Sequence, residues 1–131
     1  MKRDIAESLV QAATKKSEEM GLKMCIAVVD DGALLTHFTR MDGAYKGSVD
    51  VAISKARTSA LFPFSSGNFG NAIRKGELTG MEGSNGGLCA FKGGLPIILD
   101  GHQIGAIGVS GGTADQDEEV AYHALNQILE S

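Results

Sequence analysis

The order of elements readable in this sequence predicts an α+β layer fold, one antiparallel sheet of five strands flanked by helices. Three observations carry that expectation. Two β-prone runs, MCIAVVD and ALLTHFTR, are separated by Asp31-Gly32, a strong hairpin signal. Three further runs, Leu88–Phe91, Leu95–Leu99 and Gln103–Val109, follow a helical stretch and are divided by Lys92-Gly93-Gly94 and Asp100-Gly101-His102. Strands thus come as two and then three, without the strand and helix alternation that a parallel sheet needs.

Taken in order, Asp4 to Met20 reads as a first helix. Ile5, Leu9, Ala12 and Ala13 recur at helical intervals, Asp4 and Glu7 have capping-box spacing, and Gly21 stands where the helix should end. In the hairpin that follows, a two-residue loop sets Asp30 opposite Ala33, Val28 opposite Leu35 and Ile26 opposite His37. Both of its faces are apolar, so it belongs inside a sheet covered on two sides or against a subunit partner. Ser48 to Leu61 is helical, with Ser48 as cap, a small-residue stripe of Ala52, Ile53, Ala56 and Ala60 to lie close on the sheet, and Pro63 to end it.

Ser65 or Ser66 caps a short third helix that ends at Gly76. Glu77 to Gly87, ELTGMEGSNGG, has no periodicity and reads as a loop lying over another element. After the last strand comes the turn Ser110-Gly111-Gly112, and then a helix from about Ala114 to Leu129, with Ala121, Ala124, Leu125 and Ile128 on one face and His123, Asn126 and Glu130 on the other. Thr113 and Gln116 form a capping box at its start. Asp115, Asp117, Glu118 and Glu119 crowd its first turn, where they complement the helix dipole and would repel a bound phosphate, so the glycine turn reads as a connector rather than an anion cradle.

Composition bounds the function. At 131 residues the chain reads as one domain, residues 1–131, able to close a core without metals or disulfides. A net charge of −4 with no basic block argues against nucleic acid and acidic membrane surfaces as partners. The basic start, MKRDIAESLV, lacks the apolar stretch of a signal peptide. Cys25 and Cys89 lie in apolar segments without CxxC spacing, as expected of free thiols in a reducing cytoplasm.

No catalytic signature stands out. GxSxG, GxGxxG and GxxxxGK[ST] are all absent, which leaves hydrolase, dinucleotide and P-loop readings without support. His102 and His123 fall on polar positions. His37 is either a core histidine bonded to a neighbour or an axial ligand or acid/base in a pocket. Arg40 and Asp42 follow the second strand, Lys55 sits on the small-residue helix and Glu118 lies in the capped turn. These residues either clamp a ligand carboxylate or pair among themselves, Arg40 with Glu118 or Lys55 with Asp42.

Four stretches together, AVVDDGALLTHFTRMDGAY, ISKARTSA, GGLPIILDG and IGAIGVSGGTADQDEEVA, resemble the GlcG/HbpS family of haem-binding or haem-degrading domains, also found behind PduO-type cobalamin adenosyltransferase domains. The resemblance covers nearly the whole chain. It implies a profilin-like or PAS-like α+β domain, assembly into dimers or larger homo-oligomers, and a haem or other tetrapyrrole ligand of uncertain reactivity. Matching motif positions are Arg40, Asp42, Lys55, Thr58, Gln116 and Glu118 as ligand-binding candidates; for haem iron the candidate is His37, the histidine expected to face an interior, or else Tyr45, a Cys or a Met. Two other functions stay open: an enzyme or sensor for a small carboxylate or diol-derived metabolite, and a non-catalytic oligomeric accessory protein of glycolate, glycerol or diol metabolism.

Overall fold

A computed structural model describes residues 1–129; Glu130 and Ser131 lie outside the described residues. The elements in chain order are α1 (Arg3–Glu19), β1 (Cys25–Asp30), β2 (Leu35–Arg40), α2 (Ser48–Leu61), α3 (Ser66–Arg74), a 3-10 turn at Met81–Gly83, β3 (Gly94–Leu99), β4 (His102–Ser110) and α4 (Ala114–Leu129). The sheet is antiparallel with order β2-β1-β4-β3.

That sheet has four strands, which corrects the expected five. Leu88–Phe91 is the expected strand that does not form. Its backbone groups are taken by side chains instead: the Cys89 N–H goes to the Thr58 hydroxyl at 2.9 Å, and the Phe91 carbonyl accepts the Ser66 hydroxyl at 2.7 Å. β4 already has β1 on one side and β3 on the other, so no central edge is left for it.

The hairpin joins β1 to β2 as expected, in a different register. His37 pairs with Val28 and Thr39 with Ile26, with a bulge beyond Val28 that sets Leu35 opposite Val29. The physical reason is the Asp30 carboxylate, which accepts the N–H groups of Gly32 at 2.9 Å and Leu34 at 3.0 Å and draws the loop out to Leu34. Ala33 takes a left-handed φ of 63° within it.

Two cores flank the sheet. Ile26, Val28, Ile97, Ile107 and Val109 face α1 and α4 and pack on Leu9, Ala13, Val120 and Ala124. Cys25, Ala27, Val29 and Ala106 face α2 and meet Ala52 and Ala56. The apolar character of both hairpin faces has this cause: helices cover the sheet on each side. Local capping follows the sequence in part. Ser65 accepts the Asn68 N–H, and the Thr113/Gln116 box closes with bonds of 2.9 and 3.2 Å. α1 starts one residue before Asp4 without a side-chain cap, and α2 starts at Ser48 itself, preceded by Gly47. No described helix is long and apolar enough to cross a membrane.

Candidate functional site

The residues singled out from sequence do not converge on one site, and three places in the fold need description. Lys55 and Asp117 form the first. Lys55 is fully buried on α2, and its ammonium donates to the Asp117 carboxylate at 2.8 Å and to the Val109 carbonyl at 2.8 Å. The Phe91 ring lies over the same nitrogen, 4.8 Å from its centroid. The expected partner, Asp42, is replaced by a residue 62 positions away. Asp117 also accepts the Gly112 N–H at 2.8 Å, so the glycine turn does hold an anion, one supplied by the protein itself. Burial pushes the Asp117 carboxyl above its ordinary range, and the Lys55 ammonium with the Gly112 and Gly111 N–H groups draws it back in part. This pair ties α2, β4 and α4 together, and its donors and acceptors are spent on each other.

Thr58 and Gln116 are likewise occupied internally. The Thr58 hydroxyl donates to the Ser54 carbonyl at 2.7 Å while accepting from Cys89, and the Gln116 side chain caps α4. Glu118 sits where a Cβ on Gly67 would approach its Oε2 to 3.5 Å, beside α3. Arg40 donates to the Ala44 carbonyl at 3.0 Å rather than pairing with Glu118.

Arg40 and Asp42 make the second place. They line a groove of about 650 Å³ with Thr14 and Glu18 of α1, Gly21–Lys23, Thr39 and Met41. His37, two residues along β2, stays outside it. The ring is half-buried against α1, with Nε2 3.5 Å from the Glu7 carboxylate and a buried Nδ1 that has no partner among the described residues.

The third place was missed from sequence apart from its cover. The outward face of α2 (Asp50, Val51, Ile53, Ser54 and Arg57) meets the segment from Glu82 to Phe91 in two adjoining clefts of about 400 Å³ each, which share Asp50, Ser54 and Leu88. One cleft is walled by Val51, Leu88, Ala90 and Phe91, with Cys89 between them. Arg57 stands in the other and holds the segment down through the Asn85 carbonyl at 2.8 Å. Burial raises the Cys89 thiol, with the nearby Lys55 charge and the Phe91 and Ala90 backbone bonds working against it. The available signal was the spacing of Asp50, Ser54 and Arg57, polar positions three and four apart on α2 that lie off the small-residue stripe.

Antiparallel four-stranded order with helices on both faces defines an α+β layer protein by class. Comparison with known proteins narrows the class. The family model described as "Haem degrading protein HbpS-like" matches residues 1–126, and the chain belongs to that family. It is 37% identical over 127 residues, 95% of this chain and 89% of the other, to an uncharacterised 15.0 kDa protein of Citrobacter freundii from the dhaT-dhaS intergenic region. GlcG of Escherichia coli K12 is 31% identical over 84% of this chain and 81% of its own length. A solved complex of PduOC with haem superposes with a TM-score of 0.92 at 27% identity, over 98% of this chain and 94% of that one.

Proposed function

We propose that this protein binds haem or a related tetrapyrrole in the clefts between α2 and Glu82–Phe91. The observation that carries the reading is the apolar wall of Val51, Leu88, Ala90 and Phe91 in one cleft beside the cationic Arg57 in the adjoining one; Asp50 and Glu82 on the apolar cleft direct the carboxylates of a flat macrocycle toward Arg57. Homology to the haem-bound PduOC chain supports it.

The residues present fit the body of such a ligand better than they fit a histidine-bound iron. His37 and its orphaned Nδ1 face α1, on the other side of the sheet, while Cys89 is the soft donor in the apolar cleft. Val51, Leu88 and Phe91 would hold the macrocycle, Arg57 would release its hold on Asn85 to meet a propionate, and Cys89 would approach the metal. When bound, haem supplies a redox-active iron; the chain's own part is to exclude water with Phe91 and Leu88. Exposed Ile98 and Tyr122, beside Pro96 and Leu125, support a reading of the chain as self-associating through that surface, which sedimentation over micromolar concentrations tests.

Titrating the purified chain with haemin is the decisive experiment. A saturable Soret shift, weakened about ten-fold or more in Arg57→Glu and moved in wavelength by Cys89→Ser, is expected. An unshifted band ends the haem reading. Full binding with an unchanged spectrum in both variants removes it from this cleft.

A further inference from the structure

The groove of about 650 Å³ beside the end of α1 is a second, charged site that shares no lining residue with the α2 clefts. Four charged side chains line it: Lys23 and Arg40, Glu18 and Asp42. Two cations and two carboxylates so gathered would ordinarily pair. Among the described residues, none of the four comes within 4.0 Å of an opposite charge.

Their separation has identifiable causes. Arg40 is steadied by its bond from Nη2 to the Ala44 carbonyl, which spends one N–H and leaves the rest of the fork free. Lys23 lies along the turn after β2. A Cβ on Gly43, whose φ is +84°, would stand 2.9 Å from its Cδ and 3.1 Å from its ammonium. Glycine at that position therefore gives the lysine its course over the turn. Glu18 is carried by the last turn of α1, and Asp42 by the turn itself.

We propose that this groove binds a small carboxylate that also carries a hydrogen-bond donor, a hydroxyl or an ammonium. The carboxylate meets Arg40 and Lys23, and the donor meets Glu18 or Asp42. Such a ligand supplies an anion and a hydrogen-bond donor to a set that does not satisfy itself. All four charged groups are exposed, so solvent screens them and affinity is on the order of millimolar. The site stands apart from the haem proposal, because the groove and the α2 clefts have no lining residue in common.

Backbone amide shifts of the full chain, followed by NMR during titration with glycolate, glycine and acetate, test this. Saturable shifts in residues 14–23 and 39–43 are expected with glycolate or glycine, at least about ten-fold stronger than with acetate. Preference for glycolate identifies a hydroxy acid as the ligand type, and preference for glycine an amino acid. Lys23→Gln with Arg40→Gln should weaken binding about ten-fold while leaving the haemin titration unchanged and the chain folded by circular dichroism. Glu18→Gln with Asp42→Asn should reduce the preferred ligand to the level of acetate. The proposal is overturned by absence of saturable shifts at tens of millimolar, by acetate binding as well as the others, or by loss of haemin binding in the Lys23/Arg40 variant.

Discussion

Replacing Lys55 by Met leaves the Asp117 carboxylate, 3% exposed, with the Gly112 and Gly111 N–H groups but no counter-charge. Breaking a buried pair from one side costs about 3–5 kcal/mol because the remaining charge is uncompensated. For a chain of this size that corresponds to a fall in Tm of about 10–18 °C. Asp117→Ala leaves the converse problem, an ammonium facing only the Val109 carbonyl and the Phe91 ring, and costs a similar amount. In the double variant Lys55→Met/Asp117→Asn, the amide oxygen still accepts from Gly112 while both charges are gone. Its loss should stay within about 2 kcal/mol, well short of the sum of the single losses. The pH dependence of Lys55→Met supplies a second check. Burial already holds the Asp117 carboxyl above its reference of 3.8, and removing Lys55 removes the largest influence opposing that rise. Above the unfolded value the unfolded chain is ionised while the native chain keeps its proton, so stability falls as pH rises. The deficit of the variant should be small near pH 4 to 5 and grow toward pH 8. Urea or thermal melts followed by circular dichroism measure all of this. Single losses under about 1 kcal/mol, or strictly additive ones, would refute the account of this pair.

Gly70→Ala drives a Cβ into the Ala90 carbonyl oxygen, so α3 and the Leu88–Phe91 segment must part; a loss of about 1–3 kcal/mol in melts, with weaker haemin binding, is expected. Thr113→Ala removes the hydroxyl that accepts the Gln116 N–H and should cost about 1 kcal/mol by urea titration. Cys25 and Cys89 are buried thiols whose pKa values burial raises above 9.0, so modification by a thiol reagent at pH 7 should be slow and should speed up in denaturant. Because the native state holds these protons more tightly, stability is expected to fall as pH climbs past about 9, read from melts in alkaline buffers.

What depended on near neighbours was legible in part, since Asp4 and Ser48 do not cap the helices they were expected to cap. The Thr113/Gln116 box, the Ser65 cap and the small stripe of α2 are decided within one helical turn, and each appears as expected. The hairpin was found and its register missed, because one carboxylate, Asp30, reorganised the turn through two backbone N–H bonds. Leu88–Phe91 has a strand's composition and lacks a strand's neighbour, which is a property of the whole sheet. The same limit applies to the site. Arg40 and Asp42, adjacent in sequence, do share a groove, whereas the partner of Lys55 could not be chosen among the acidic residues without the tertiary fold. Arg57 reads locally as an ordinary solvated helix charge, and its partners, the Asn85 and Gly87 carbonyls, are set only by the tertiary fold.

The Lys55 and Asp117 pair also bears on how the chain is made. While residues emerge from the ribosome in order, Lys55 exists long before its acceptor does, and β1 likewise waits for β4, which supplies the pairing from Cys25↔Ser110 to Asp30↔Gly105. Until Asp117 appears, α2 cannot settle on its sheet without burying a lone ammonium. Nascent chains shorter than that should stay open and protease-sensitive, with compaction arriving late and in one step as α4 docks. Proteolysis of stalled chains ending before and after α4 would display that step, and a compact species ending at residue 110 would contradict it.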